Sequence, residues 1–153
     1  TANILTKRQE KALNDNVNSF VHKSVSLDAL KEIYENSDIA IHAESFSLKN
    51  RLAVRMSFST KIIDCLASGC AVMAICDKLQ GGYEYLERED AAICVADPKM
   101  LKNTILCLIN NPDKIIAYAQ KARDLVKRNH LEEIISKSIK EDFLTVLNEN
   151  EGN

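Results

Sequence analysis

The sequence predicts an α/β fold in which a parallel sheet carries helices on both faces, and three observations point to it. Apolar, strand-like runs alternate with segments of helical spacing along most of the 153 residues. Two of these runs, CAVMAIC (70–76) and AAICVAD (91–97), are continuously apolar, as strands covered on both faces are. The intervening helices open on recognisable caps: Ser59, Asp97-Pro98 and Asn111-Pro112.

Taken in order, residues 1–16 are polar and lysine-rich, with weak helical character over Arg8 to Asn14. VNSFVH (17–22) reads as a short strand. Ser26 caps a helix that places Leu27, Leu30, Ile33 and Tyr34 on one side, and Asn36 and Ser37 stop it. Ile39 to Ala43 form an apolar strand. SFSLKNRLAVR (45–55) is basic and reads mainly as loop. Ser59 caps the next helix, with Phe58 and Ile63 at the spacing of a hydrophobic staple and Gly69 as the left-handed exit. After the strand at 70–76, Gly81-Gly82 breaks the chain and YEYLER forms a short helix. Beyond the strand at 91–97, one helix carries Leu101, Ile105, Leu108 and Ile109, and the next carries Ile115, Ile116, Ala119 and Val126. A last helix, from about Leu131 to Asn148, aligns Ile134, Ile135, Ile139, Phe143 and Leu147. The strands at about 17–22, 39–43, 70–76 and 91–96 are expected to be parallel.

Composition narrows the function. At 46% hydrophobic and 27% charged the chain is globular, and its length fits a single domain over 1–153. A net charge of −2 gives no electrostatic footprint for nucleic acid. No apolar run reaches membrane-spanning length, and TANILTKRQEK has no signal-peptide core. Cys65, Cys70, Cys76, Cys94 and Cys107 contain no C-x-x-C pair and lie in apolar surroundings, which suits buried, reduced thiols in a cytoplasmic protein. His22 and His130 have no acidic or cysteine company at ligand spacing, so no metal site is expected; His42 reads mainly as a packed, hydrogen-bonded strand residue, with a place facing the site as the lesser alternative. Lys49, Arg51 and Arg55 form a solvated basic face; phosphate binding and peripheral contact with an anionic membrane are further uses of the same charges.

The chemistry concentrates in MSFSTKIIDCLASGCAVMAI (56–75). A helix N-terminus offers unpaired N–H groups and about half a positive charge. Ser57, Ser59 and Thr60 add hydroxyls, and Lys61 adds a cation in the first turn, where it opposes the helix dipole unless an anion is bound. Asp64, one turn on, is too far inside to cap; a carboxylate there can accept both hydrogen bonds of a ribose diol. An ordinary capped helix with a surface lysine and a solvated acid uses the same residues. Together, phosphate donors followed by a diol acceptor match the two halves of a nucleoside diphosphate. In parallel α/β sheets such ligands bind beyond the carboxyl ends of the strands, where the loop after 39–43, the start at Ser59 and the Gly81-Gly82 turn should meet.

Over nearly its whole length the chain resembles the carboxyl-terminal, Rossmann-like domain of GT-B glycosyltransferases, in the group with a retaining mechanism. SDIAIHAE resembles that family's strand and acid-bearing loop, FSTKIIDCLASGCAVMAI its donor-binding helix and strand, and NPDKIIAYAQKARDLVKRNH a helix near its end. The resemblance implies a nucleoside diphosphate sugar as donor and transfer to an acceptor without a metal or other cofactor. It places Asp64 on the ribose, Ser59, Thr60 and Lys61 on the diphosphate, and Glu44 as the catalytic candidate of the loop. Met56 stands where many members carry a second acid, and Ala71 replaces their proline. Donor-sugar handling is therefore expected to differ, or to rest on residues such as Glu44 and Arg55. The resemblance also implies an amino-terminal domain of the same polypeptide that binds the acceptor, and first strands of this domain that the sequence lacks. One sheet edge would then be bare, swapped or covered, the last helix would pack toward the other domain, and the chain alone would bind nucleotide weakly and transfer nothing. The alternative is a non-catalytic α/β nucleotide-binding or interaction domain.

Overall fold

The structure, a computed structural model, describes residues 6–151 apart from 16, 23, 55 and 56. Its helices are α1 (Lys7–Leu13), α2 (Leu27–Glu35), α3 (Leu48–Val54), α4 (Thr60–Ala67), α5 (Gly81–Arg88), α6 (Leu101–Ile109), α7 (Pro112–Asn129) and α8 (Glu132–Glu151), with a 3-10 turn at Pro98–Met100. Strands β1 (Ile39–Ala43), β2 (Ala71–Ile75) and β3 (Ile93–Val95) form one parallel sheet in the order β1-β2-β3. His42 stands in register with Ala74, and Met73 with Ile93.

The central strand explains its own sequence. AVMAI has no polar alternation because both of its faces are covered. Val72 and Ala74 pack with Ile62, Cys65 and Leu66 of α4, Tyr83 and Leu86 of α5, and Ala122 and Leu125 of α7. Ala71 and Met73 face the other way, onto Ile93, Val95, Leu108 of α6 and Ala119 of α7. The expected parallel sheet with helices on both faces is therefore present. The helical stripes bury unevenly: Ala119, Ala122 and Leu125 form the sheet-facing line of α7, whereas Ile109, Ile116 and the apolar residues of α8, Ile134 to Leu147, are exposed.

The chain divides into two compact units, Thr1–Ile33 and Tyr34–Asn153. In the first, a capping box of Thr6 and Gln9 opens α1. The expected strand at 17–22 is absent. The Asp15 carboxylate accepts the backbone N–H groups of Val17, Asn18 and Ser19 at 2.7–3.0 Å, folding the segment into a turn. These bonds hold the Asp15 carboxyl well below the usual carboxylate range. Val17 and Phe20, whose β-propensity suggested a strand, are 74% and 61% exposed. Ser26 caps α2 as expected, accepting from the Ala29 N–H at 3.3 Å.

In the second unit, the segment expected to be loop at 45–55 contains α3. Its Arg51 pairs with Asp77 at 2.9 Å, so this basic charge is spent inside the fold; Arg55 lies outside the described residues. Gly69 leaves α4 with φ 87°, as its position predicts. Phe58 packs edge-to-face on Tyr85, with ring centroids 5.5 Å apart. Asn111 precedes α7 but turns its amide back to the Cys107 carbonyl, 2.8 Å away. Cys65, Cys70 and Cys76 are buried; Cys107, expected in apolar surroundings, is exposed. Burial lifts the Cys76 thiol to about 11 and Cys94 to about 12, which keeps both protonated.

Gly81-Gly82 opens α5 and does not break the chain. The reason is space: a Cβ on Gly82 would overlap Cδ1 of Ile62, a fully buried residue of α4. Gly82→Ala is expected to destabilise the chain by about 1–3 kcal/mol, because Ile62 must leave its rotamer in a packed core. Denaturant unfolding checks this; an unchanged midpoint would show that α4 and α5 do not depend on this close approach.

Candidate functional site

Parallel strands put three chain segments at one edge. β1 ends at Ala43, and Glu44 continues its ladder by donating its N–H to Ile75 O at 3.0 Å. α4 enters β2 from the opposite direction, so its start lies at that same edge, and α5 begins there after β2. Between them lies a cavity of about 270 Å³ lined by His42, Glu44, Ser57–Thr60, Ile62, Gln80 and Gly82.

Four of the six residues singled out from the sequence, Glu44, Ser57, Ser59 and Thr60, line this cavity. Lys61 and Asp64 do not; they are exposed on α4, three residues apart and hence on one face. Lys61 is near enough that its charge acts on His42. Asp64 lies toward Tyr34 and Cys65, whose ionisation its charge opposes. Met56 is outside the described residues.

Ser59 stands at the N-cap of α4, as its sequence position predicts, but its hydroxyl makes no capping bond. Gln80 is the N-cap of α5 and makes none either. Among the described residues, the first N–H groups of both helices are thus left without side-chain caps at the cavity. The Gln80 backbone is held firmly. Its N–H donates to Asp77 O at 3.0 Å, its carbonyl accepts from Glu84 at 3.0 Å, and Asp77 Oδ1 accepts from Leu79 at 3.0 Å.

The sequence reading holds His42 at the site only as a lesser alternative and misses Gln80. Both are 5% exposed and both line the cavity. Strand alternation could have revealed His42: it shares a face with Ala40, and that face looks toward α4. Nothing local marks Gln80. His42 Nε2 lies 3.8 Å from Glu44 Oε1, beyond hydrogen-bond reach. Burial lowers the His42 pKa, Glu44 partly opposes this, and Lys61 adds to it. Burial likewise lowers that of His130, whose Nε2 is 2.7 Å from the Tyr85 hydroxyl.

A pH dependence follows. The folded state binds these two protons less readily than the unfolded chain does, so the contribution is complete above the unfolded value near 6.5 and is lost as pH falls through the lower folded values. The thermal midpoint should fall from pH 7 toward pH 5, and less steeply in His42→Gln. An identical slope in that variant would show that His42 is not held neutral. Asp15 acts in a separate window, below the usual carboxylate pKa.

A family model described as glycosyl transferase-like matches residues 6–137. The chain belongs to this family. No curated protein and no solved structure matches the sequence. Family membership gives glycosyl transfer as the general chemistry, and the α/β sheet agrees with it. Among the described residues no cluster of three or more His, Cys, Asp or Glu could hold a metal ion, and no helix is long and apolar enough to cross a membrane.

Proposed function

We propose that this glycosyl transferase-like chain is the donor-binding part of a GT-B enzyme, moving a sugar from a nucleoside diphosphate sugar to an acceptor with retention and without a metal. The observation that carries the reading is the cavity at the carboxyl edge of the sheet, framed by two helix starts that lack side-chain caps. Family membership supports the reaction class.

The donor lies along α4. The amides and hydroxyls of Ser57, Ser59 and Thr60, with Lys61 beside them, hold the diphosphate, and Asp64 accepts from the ribose diol one turn further on. As the sugar departs, negative charge grows on the diphosphate, and the fixed amides and Lys61 stabilise it without reorganising. Glu44, with no hydrogen bond to His42, is an acceptor beside the reacting end of the donor. Acceptor binding and closure of the cleft belong to a preceding domain of the GT-B arrangement.

Calorimetric titration with nucleoside diphosphate hexoses tests the proposal. The expected result is saturable binding that the parent diphosphate displaces. Absence of binding across uridine, guanosine and adenosine donors would favour the interaction-domain alternative.

A further inference from the structure

We infer that the floor of this cavity, built around the buried Gln80 amide, is a subsite for a neutral polyhydroxyl group, the glycosyl moiety of the donor, and that Gln80 positions it. The inference rests on the donor-binding reading above and deepens it.

Three observations converge. First, Gln80 is 5% exposed and its Nε2 has no hydrogen-bond partner among the described residues. Burying a donor without a partner is costly to a fold, and the cavity that Gln80 lines is where a ligand oxygen could supply the missing acceptor. Second, the inner part of the lining has the wrong charge for phosphate. Among the described residues it contains no Lys or Arg, one carboxylate in Glu44, and an imidazole whose protonation burial disfavours. A phosphate between Gln80 and His42 would meet the Glu44 charge with no Lys or Arg in the lining beside it. A hydroxyl suits both sides, accepting from the Gln80 amide while donating to Glu44 or to a neutral His42 nitrogen.

Third, burial separates floor from rim. His42, Ile62, Gln80 and Gly82 are buried, whereas Ser57, Phe58 and Thr60 are exposed. The phosphate-binding groups lie at the rim, next to Lys61, so a donor laid along α4 toward Asp64 directs its sugar inward. The volume of about 270 Å³ falls just short of the about 300–1,000 Å³ of pockets that enclose a whole ligand, as a subsite for one moiety should. The Gln80 backbone N–H donates to Asp77 O, and Arg51 pairs with the Asp77 carboxylate, which fixes the main chain that carries this side-chain amide.

The test compares Gln80→Met, close in size but lacking the amide, with the wild-type chain. Uridine, guanosine and adenosine diphosphates are titrated alone and as their hexose conjugates, and thermal midpoints are recorded. For the donor that binds, Gln80→Met should weaken the hexose conjugate about five- to tenfold and leave the parent diphosphate within about twofold. The variant's thermal midpoint should rise by about 2–4 °C, because an unsatisfied buried group is gone. Equal losses for diphosphate and conjugate would place phosphate on the floor and overturn the inference while leaving the donor reading intact. Unchanged affinities or a lowered midpoint would also overturn it alone. If no conjugate binds, whether or not a parent diphosphate does, the donor reading fails and takes this inference with it.

Discussion

Lys61→Ala is expected to lower nucleoside diphosphate affinity about tenfold or more while leaving nucleoside affinity unchanged. A charge-assisted contact to phosphate contributes at least that factor. Lys61 is exposed in the first turn of α4 and has no ion-pair partner among the described residues. Without an anion, the cation faces the positive end of the helix dipole. Asp64→Ala should produce the complementary pattern, weakening nucleoside and diphosphate alike, since both carry the ribose. A 2′,3′-dideoxy nucleotide should then show little further loss with that variant. Both side chains are exposed, so neither change should unfold the chain. Calorimetric titration of the two variants checks the pattern. If Lys61→Ala leaves diphosphate affinity untouched, the donors at 57–61 are only a well-formed helix start.

Leu66→Ala should have the largest effect on stability, about 2–5 kcal/mol, lowering the thermal midpoint on the order of 10 °C. Leu66 is 0% exposed between α4 and the sheet, packed among Val72, Ala74, Leu86 and Leu125, and truncation leaves a void that these side chains fill only in part. Ile109→Ala provides the contrast. Ile109 belongs to the apolar pattern of α6 in the sequence but is 66% exposed in the structure, and its loss should stay within about 0.5 kcal/mol. Comparable losses at the two positions in denaturant unfolding would show that the core is not distributed as described.

Which features the sequence revealed depended on how local their causes are. The continuous apolar run that became β2 is legible because burial on both faces removes alternation, and Gly69 is legible because its left-handed φ is a property of one residue. The turn at 17–22 was not: VNSFVH has strand propensity, but the Asp15 carboxylate takes its N–H groups. α3 escaped because LKNRLAV is only seven residues long and its Lys49, Asn50 and Arg51 read as a basic loop. Gly82 looked like punctuation and is instead a clearance for Ile62, a fact that exists only once α5 lies on α4. The site divides in the same way. Ser57, Ser59, Thr60 and Lys61 are legible because a helix start announces its own chemistry. Gln80 is polar in a turn like many surface residues, and only the assembled fold buries it and leaves its amide without a partner.

The central claim is that a sugar nucleotide lies from Gln80 across the start of α4 to Asp64. Amide shift mapping of the ¹⁵N-labelled chain, titrated with nucleoside diphosphate hexoses, tests it most directly. The account predicts saturable shifts concentrated at Ser57–Asp64 and Gln80–Tyr83, with the Gln80 side-chain amide responding to the hexose conjugate and not to the parent diphosphate. Saturable shifts centred instead on the groove between α6 and α7, around Met100, Cys107 and Tyr118, or no shift with any of these donors, would contradict it.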